Sequence, residues 1–123
     1  MNAGNQKILV IDDDCTVRDI VSKMICRLGF EVSSADSAEN GLALFIKNKF
    51  DLVITDFSMS GMDGIQLAYC IKEVSPSTQV VLMTGHEKEV ILSIIRDTAV
   101  DQALFKPITL TQMDVTVQGL LNP

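Results

Sequence analysis

Apolar positions in this chain switch between two periods. Lys7 to Ile11 ends in the continuous run Ile8-Leu9-Val10-Ile11. The next apolar residues are Val17, Ile20, Val21, Met24, Ile25 and Leu28. They fall at i, i+3, i+4, i+7, i+8 and i+11, which predicts a helix with one apolar face. Gly29 then stands where a helix C-terminal cap is expected. The alternation repeats. Glu31 to Ala35 reads as a strand, and Ser37 can N-cap a helix reaching about Lys47. Leu52 to Thr55 is a third strand. Gly64 to Val74 is a third helix, closed by Ser75-Pro76. Gln79 to Met83 is a fourth strand, followed by a helix from about Glu87 to Asp97. Gln102 to Phe105 is a fifth, weaker strand. Thr109 and Gln112 have capping-box spacing for a last helix to about Leu121.

Five strand–helix pairs define an α/β chain of the (βα)5 type. Buried, continuously apolar strands alternating with helices imply a parallel sheet covered on both faces, a three-layer sandwich. Right-handed crossovers leave few topologies. The expected one is flavodoxin-like, a five-stranded sheet of order 2-1-3-4-5.

Composition narrows the picture. A length of 123 residues fits one domain, expected over 7–121 behind a polar, disordered tail at 1–6. No apolar run approaches the roughly 18 residues of a membrane span. The polar start also lacks a signal-peptide core, so a cytoplasmic location is expected. The net charge of −6 repels nucleic acid and argues against direct binding to it. Three cysteines form no CxxC pair, and the odd count argues against a disulfide framework. Cys26 and Cys70 are expected to be buried.

Parallel sheets bind ligands beyond the carboxyl ends of their strands. Asp12, Asp13 and Asp14 follow the first strand, Asp56 the third, Thr84 the fourth and Lys106 the fifth. One Asp at a strand end is an ordinary polar residue. The expected order makes strands 1 and 3 neighbours and brings Asp12 and Asp13 close to Asp56; these three carboxylates, a hydroxyl and a lysine converging on one rim are not ordinary. Packed carboxylates repel each other unless a cation is present. Oxygen-only ligands suit Mg2+. A carboxylate beside Mg2+, a lysine and a hydroxyl is equipped for phosphoryl transfer, with an aspartyl phosphate as the product.

The order and spacing of five segments resemble a response-regulator receiver domain, the family of the chemotaxis response regulator in two-component phosphorelays. They are Ile8 to Asp13, Asp51 to Asp56, Met59 to Gly64, Val80 to Thr84 and Phe105-Lys106-Pro107. The resemblance spans Lys7 to Leu121. The family also exemplifies the 2-1-3-4-5 sheet, so that order is not an independent derivation. By position, the resemblance implies that Asp56 is the phosphoacceptor. It implies that Asp13 and Asp56 are direct Mg2+ ligands, with Asp12 acting through water and the backbone carbonyl of Ser58 as a further ligand. Thr84 and Lys106 resemble the family's hydroxyl and lysine, and Lys106-Pro107 is a candidate cis peptide.

The implied donor is a phosphohistidine on a sensor histidine kinase or a histidine phosphotransfer protein. The implied protein is no metabolic enzyme; it undergoes only self-phosphorylation from a donor and slow self-dephosphorylation. The implied output is a shift of the helix 4–strand 5–helix 5 face toward an effector domain, a partner protein or a phosphorylation-dependent homodimer. Val90, Ile91, Leu92, Ile94 and Ile95 supply more apolar residues there than one helix face needs, and Leu92 is the candidate for such a surface. Three positions depart from the family pattern. Ser60 stands where proline is usual. Ala103 stands where a switching aromatic is usual, three residues before the lysine. His86, two residues after Thr84, occupies a position at which family members tune phosphate lifetime.

A rival reading exists. Asp12-Asp13-Asp14-Cys15-Thr16 spells D-x-D-x-T, the nucleophile motif of haloacid-dehalogenase-like Mg2+-dependent phosphatases. There Asp12 is the nucleophile and Asp14 the general acid/base. That reading leaves Asp56 and the Met59–Gly64 segment without a role. It also lacks the acidic pair that family carries after its lysine.

Overall fold

In the computed structural model, which describes residues 6–123, five strands and five helices alternate along the chain. The strands are β1 (Lys7–Ile11), β2 (Glu31–Ala35), β3 (Leu52–Asp56), β4 (Gln79–Thr84) and β5 (Gln102–Phe105). The helices are α1 (Cys15–Arg27), α2 (Ala38–Lys47), α3 (Gly64–Val74), α4 (Lys88–Ile95) and α5 (Leu110–Leu121). The strands form one parallel sheet of order β2-β1-β3-β4-β5, as expected. Most of the tail expected at 1–6 lies outside the described residues. Its last member, Gln6, accepts hydrogen bonds from the N–H of Glu31 and from Asn122 Nδ2.

Alternation along each strand sends side chains to opposite faces. Leu9, Ile11, Val53, Val80 and Leu82 pack with Phe45, Leu67, Ile71 and Ile91 from α2, α3 and α4. Ile8, Val10, Leu52, Ile54, Val81 and Met83 pack with Val21, Ile25, Met113 and Val117 from α1 and α5. Both faces of the central strands are therefore dry, which is why their sequences are continuously apolar. Each such side chain contributes roughly 1.5–3 kcal/mol of burial. The outer strand β2 is different: Glu31, Ser33 and Ser34 are exposed.

Helix starts follow their caps. Asp14 Oδ1 accepts from the N–H groups of Thr16 and Val17. Ser37 Oγ accepts from Asn40 N–H, and Thr109 with Gln112 forms the expected capping box. A second box, Asp63 with Gln66, opens α3. α4 is shorter than its sequence suggests. The N–H and hydroxyl of Thr98 both bond to Ile95 O, at 3.0 and 2.8 Å, and close its end early.

Two cysteines depart from expectation. Cys26 is exposed and Cys70 only half-buried. α1 turns Val21 and Ile25 inward. Cys26 sits one residue, about 100° of helix rotation, past Ile25. α3 likewise buries Leu67, Ala68 and Ile71, leaving Cys70 at the flank of that face. Among the described residues, no helix is long and apolar enough to cross a membrane.

Candidate functional site

Asp12 lies one residue past β1, and Asp56 is the last residue of β3. β1 and β3 pair in register from Ile8↔Leu52 to Ile11↔Thr55, so both acids emerge at the same sheet edge. Carboxylate oxygens of Asp12, Asp13 and Asp56 lie within 4.8 Å of one another. Lys106, one residue past β5, reaches across β4 into this group. Its Nζ is 3.0 Å from Asp56 Oδ1 and 3.9 Å from Asp12 Oδ2.

The three neighbouring acids after β1 sit in different environments. Asp12 is 1% exposed, and its Oδ1 accepts from Asp14 N–H at 2.9 Å. Its Oδ2 is buried without a hydrogen-bond partner. Burial raises the Asp12 pKa. The charges of Asp56 and Asp13 push the same way, against the Asp14 N–H and the Lys106 ammonium. Asp13 is exposed beside it. Asp14 is occupied in capping α1. This cap weighs against the rival phosphatase reading, in which Asp14 serves as acid/base: its Oδ1 already holds two helix N–H groups.

Thr84 ends β4 and is 1% exposed. Its Oγ1 accepts from His86 N–H at 3.0 Å, so the hydroxyl is tied to the β4–α4 loop. The N–H of Lys106 donates to Thr84 O at 2.8 Å, joining the two residues through the backbone. Phe57 and His86 meet edge to face with ring centroids 5.4 Å apart. Ser58 is exposed in the loop after β3, and the Lys106-Pro107 bond is cis.

Sequence reasoning passed over the packing role of Gly64. An added Cβ there would lie 2.6 Å from Asp56 O and 2.5 Å from Leu82 Cδ1. The N–H of Gly64 also donates to Phe57 O at 3.0 Å. The start of α3 thus rests on the strand end that carries Asp56. The Asp63–Gln66 box was readable from its D-x-x-Q spacing.

The site is a shallow rim. A groove of about 660 Å3 runs along the opposite sheet edge past Phe50, Asp51, Thr78 and Leu120, and none of the predicted site residues line it. Another groove, of about 550 Å3, lies between α4 and α5, where Ala103 is flanked by Leu92, Phe105 and Val115. Val90, Leu92 and Ile94 are all exposed on α4, while Ile91 and Ile95 are buried.

A family model described as the response regulator receiver domain matches residues 8–118. The autoinducer 1 sensor kinase/phosphatase LuxN of Vibrio campbellii is 31% identical over 122 residues, covering 99% of this chain. The chain spans only 14% of that protein's length. A probable chemotaxis protein CheY of Rhizobium etli is 27% identical over 120 residues, covering 94% of this chain and 92% of that one. A crystal structure of a receiver domain protein from Clostridium thermocellum superposes with a TM-score of 0.84. It is 31% identical and covers 95% of this chain and 94% of that one. The response regulator protein TrrA of Thermotoga maritima, in complex with Mg2+–BeF, gives a TM-score of 0.83. It is 26% identical, with 94% and 99% of the two chains covered.

Proposed function

The chain belongs to the response regulator receiver domain family, and from that membership we propose that Asp56 is the residue it phosphorylates. The observation that carries this reading is the placement of Asp56. It stands at a strand end with the Lys106 ammonium 3.0 Å away and with a carboxylate oxygen each of Asp12 and Asp13 within 4.8 Å.

The donor is a phosphohistidine on a sensor histidine kinase or a phosphotransfer protein. An Asp56 carboxylate oxygen attacks its phosphorus. A P–O bond forms as the P–N bond breaks, and the imidazole leaves with the electron pair. Lys106 is already at the reacting carboxylate and stabilises charge on the phosphoryl oxygens. Thr84 exchanges its bond to His86 for donation to a phosphoryl oxygen. The product carries about −1.5 to −2 charge and three acceptor oxygens, which these two residues read. The chain promotes this transfer to itself and its own slow dephosphorylation, and no other turnover.

Receiver domains bind Mg2+ at an acidic cluster of this kind. The cluster here fits a hard divalent cation: its donors are all oxygens, and the buried Asp12 Oδ2 has no hydrogen-bond partner. Asp13 and Asp56 are proposed as direct ligands, Asp12 as a ligand through water, and the Ser58 carbonyl as a further one. When bound, Mg2+ supplies positive charge to the phosphoryl oxygens.

The output face is proposed to be α4–β5–α5, toward an effector domain, a partner protein or a second copy of the chain. The three exposed apolar residues of α4 support this. The test of the phosphoacceptor is direct. Acetyl phosphate with Mg2+ should add one phosphoryl group by intact mass, and chelation should prevent it. Asp56→Asn should abolish it, and a phosphoryl group retained in Asp56→Asn would refute the assignment.

A further inference from the structure

The loop that carries Asp12 and Asp13 is pinned from outside the acidic cluster. Arg18, on α1, donates from Nη1 to the carbonyl of Asp12 at 2.8 Å. Asp12 is one residue past β1 and three before α1, in the short loop between them. Its N–H donates to Ala35 O at 3.2 Å, and its Oδ1 accepts from Asp14 N–H. With Arg18 on the carbonyl, these bonds leave only Oδ2 without a hydrogen bond, 3.9 Å from Lys106 Nζ.

The carbonyl of Asp12 and the N–H of Asp13 share one rigid peptide plane. A bond that fixes the carbonyl therefore fixes where the Asp13 N and Cα lie, and with them the point from which the Asp13 side chain departs. Arg18 is suited to this task. A guanidinium holds its charge at any relevant pH, and a charge-assisted bond to a carbonyl is short and strong. Its hydrogen bond is to the main chain of the loop and not to a carboxylate.

We propose that Arg18 is a positioning residue of the phosphoryl-transfer site: it holds the Asp12–Asp13 peptide so that both carboxylates face the cation. This rests on reading Asp12, Asp13 and Asp56 as the cation site. Outer contacts that orient metal ligands typically alter affinity by about 10- to 100-fold when removed.

The experiment is a Mg2+ titration of the full chain followed by backbone amide shifts, with thermal melting of each variant alongside. Arg18→Met keeps the aliphatic stem and removes the donor. Arg18→Gln keeps a donor that is too short to reach. Both should weaken Mg2+ binding by about 10-fold or more. Arg18→Lys, which restores a long cationic donor, should recover most of that loss. A purely structural role would lower the melting temperature and leave Mg2+ affinity alone. If Arg18→Met fails to fold, Arg18→Gln decides. Mg2+ affinity within twofold of wild type in a folded Met or Gln variant overturns the proposal. Absence of Mg2+ binding in the wild-type chain would instead overturn the cation site on which it rests.

Discussion

Lys106 Nζ donates to Asp56 Oδ1 at 3.0 Å, joining residues 50 positions apart at the carboxyl edge of the sheet. The same ammonium is 3.9 Å from Asp12 Oδ2. On the proposed reading it both competes with a cation for the cluster and assists at the phosphoryl group. Lys106→Met should move two quantities in opposite directions. Mg2+ should bind more tightly, because a fixed positive charge has left the carboxylates. Phosphorylation by acetyl phosphate should slow by about 10-fold or more. The low end is expected, because the lysine side chain is 30% exposed and partly screened. A Mg2+ titration and a phosphorylation time course measure the two effects. A variant that weakens both would show that Lys106 chiefly supports the fold.

Thr84 is coupled to its loop before any phosphate arrives, because its Oγ1 accepts from His86 N–H. Thr84→Val keeps the shape, removes the acceptor and leaves that N–H without its partner. The expected cost is about 1 kcal/mol of stability. The variant should still be phosphorylated on Asp56, yet its β4–α4 loop should not respond. Amide shifts of Gly85 and His86 on adding Mg2+ and beryllofluoride, large in wild type and small in Thr84→Val, are the readout. Equal shifts in both proteins would exclude Thr84 as the reader.

Gly64 sets how closely α3 approaches the strand end that carries Asp56. Its missing Cβ is needed beside Asp56 O, which is backbone and cannot yield as a flexible side chain can. Gly64→Ala should destabilise the protein by about 1–3 kcal/mol and slow phosphorylation by displacing Asp56. Gly119→Ala in α5, where an added Cβ meets nothing, is the control. It should stabilise by about 0.5–1 kcal/mol and leave phosphorylation unchanged. Urea unfolding of the pair gives the comparison.

These cases show what the chain discloses and what it withholds. The strands were readable because the central ones are buried on both faces, and the helix starts because Ser37 and Thr109 announce their caps. The acids were readable because strand ends collect at one edge. Which acid does what was not readable from spacing. Asp12, Asp13 and Asp14 are consecutive, and only the fold makes one buried, one exposed and one a helix cap. Cys26 and Cys70 failed for a similar reason: residue type suggests burial, but a rotation of about 100° from a core position decides exposure. Arg18 left no local signal, since its partner is a backbone carbonyl.

Asp12 also makes stability depend on pH. Its pKa is raised from the ordinary 3.8, chiefly by burial. The folded metal-free chain therefore holds this proton more tightly than the unfolded chain does. Its contribution is greatest below 3.8 and is lost as pH rises through the raised value. Asp12→Asn removes that loss. In urea unfolding with chelator, the variant should gain on wild type between acidic and neutral pH. Added Mg2+ should restore wild type more than the variant. A stability difference that stays constant with pH would remove Asp12 from this account.

With α4–β5–α5 as the proposed output face, the proposed route to it from Asp56 bypasses the position of Ala103. No aromatic ring there can turn in or out, and a groove of about 550 Å3 lies open between α4 and α5 instead. Two connections remain. The Thr84–His86 turn leads into α4. The Lys106 N–H to Thr84 O bond links the ends of β5 and β4 at 2.8 Å. The first runs through the Thr84 hydroxyl and the second through the backbone, and neither needs a side chain at 103. Beryllofluoride with Mg2+ should therefore shift amides of Gly85, His86 and α4 in wild type. The same pattern should persist in Ala103→Tyr, whose ring can occupy the groove. If the response appears only after that substitution, then the native chain lacks a route to this face, and its signal must leave Asp56 elsewhere.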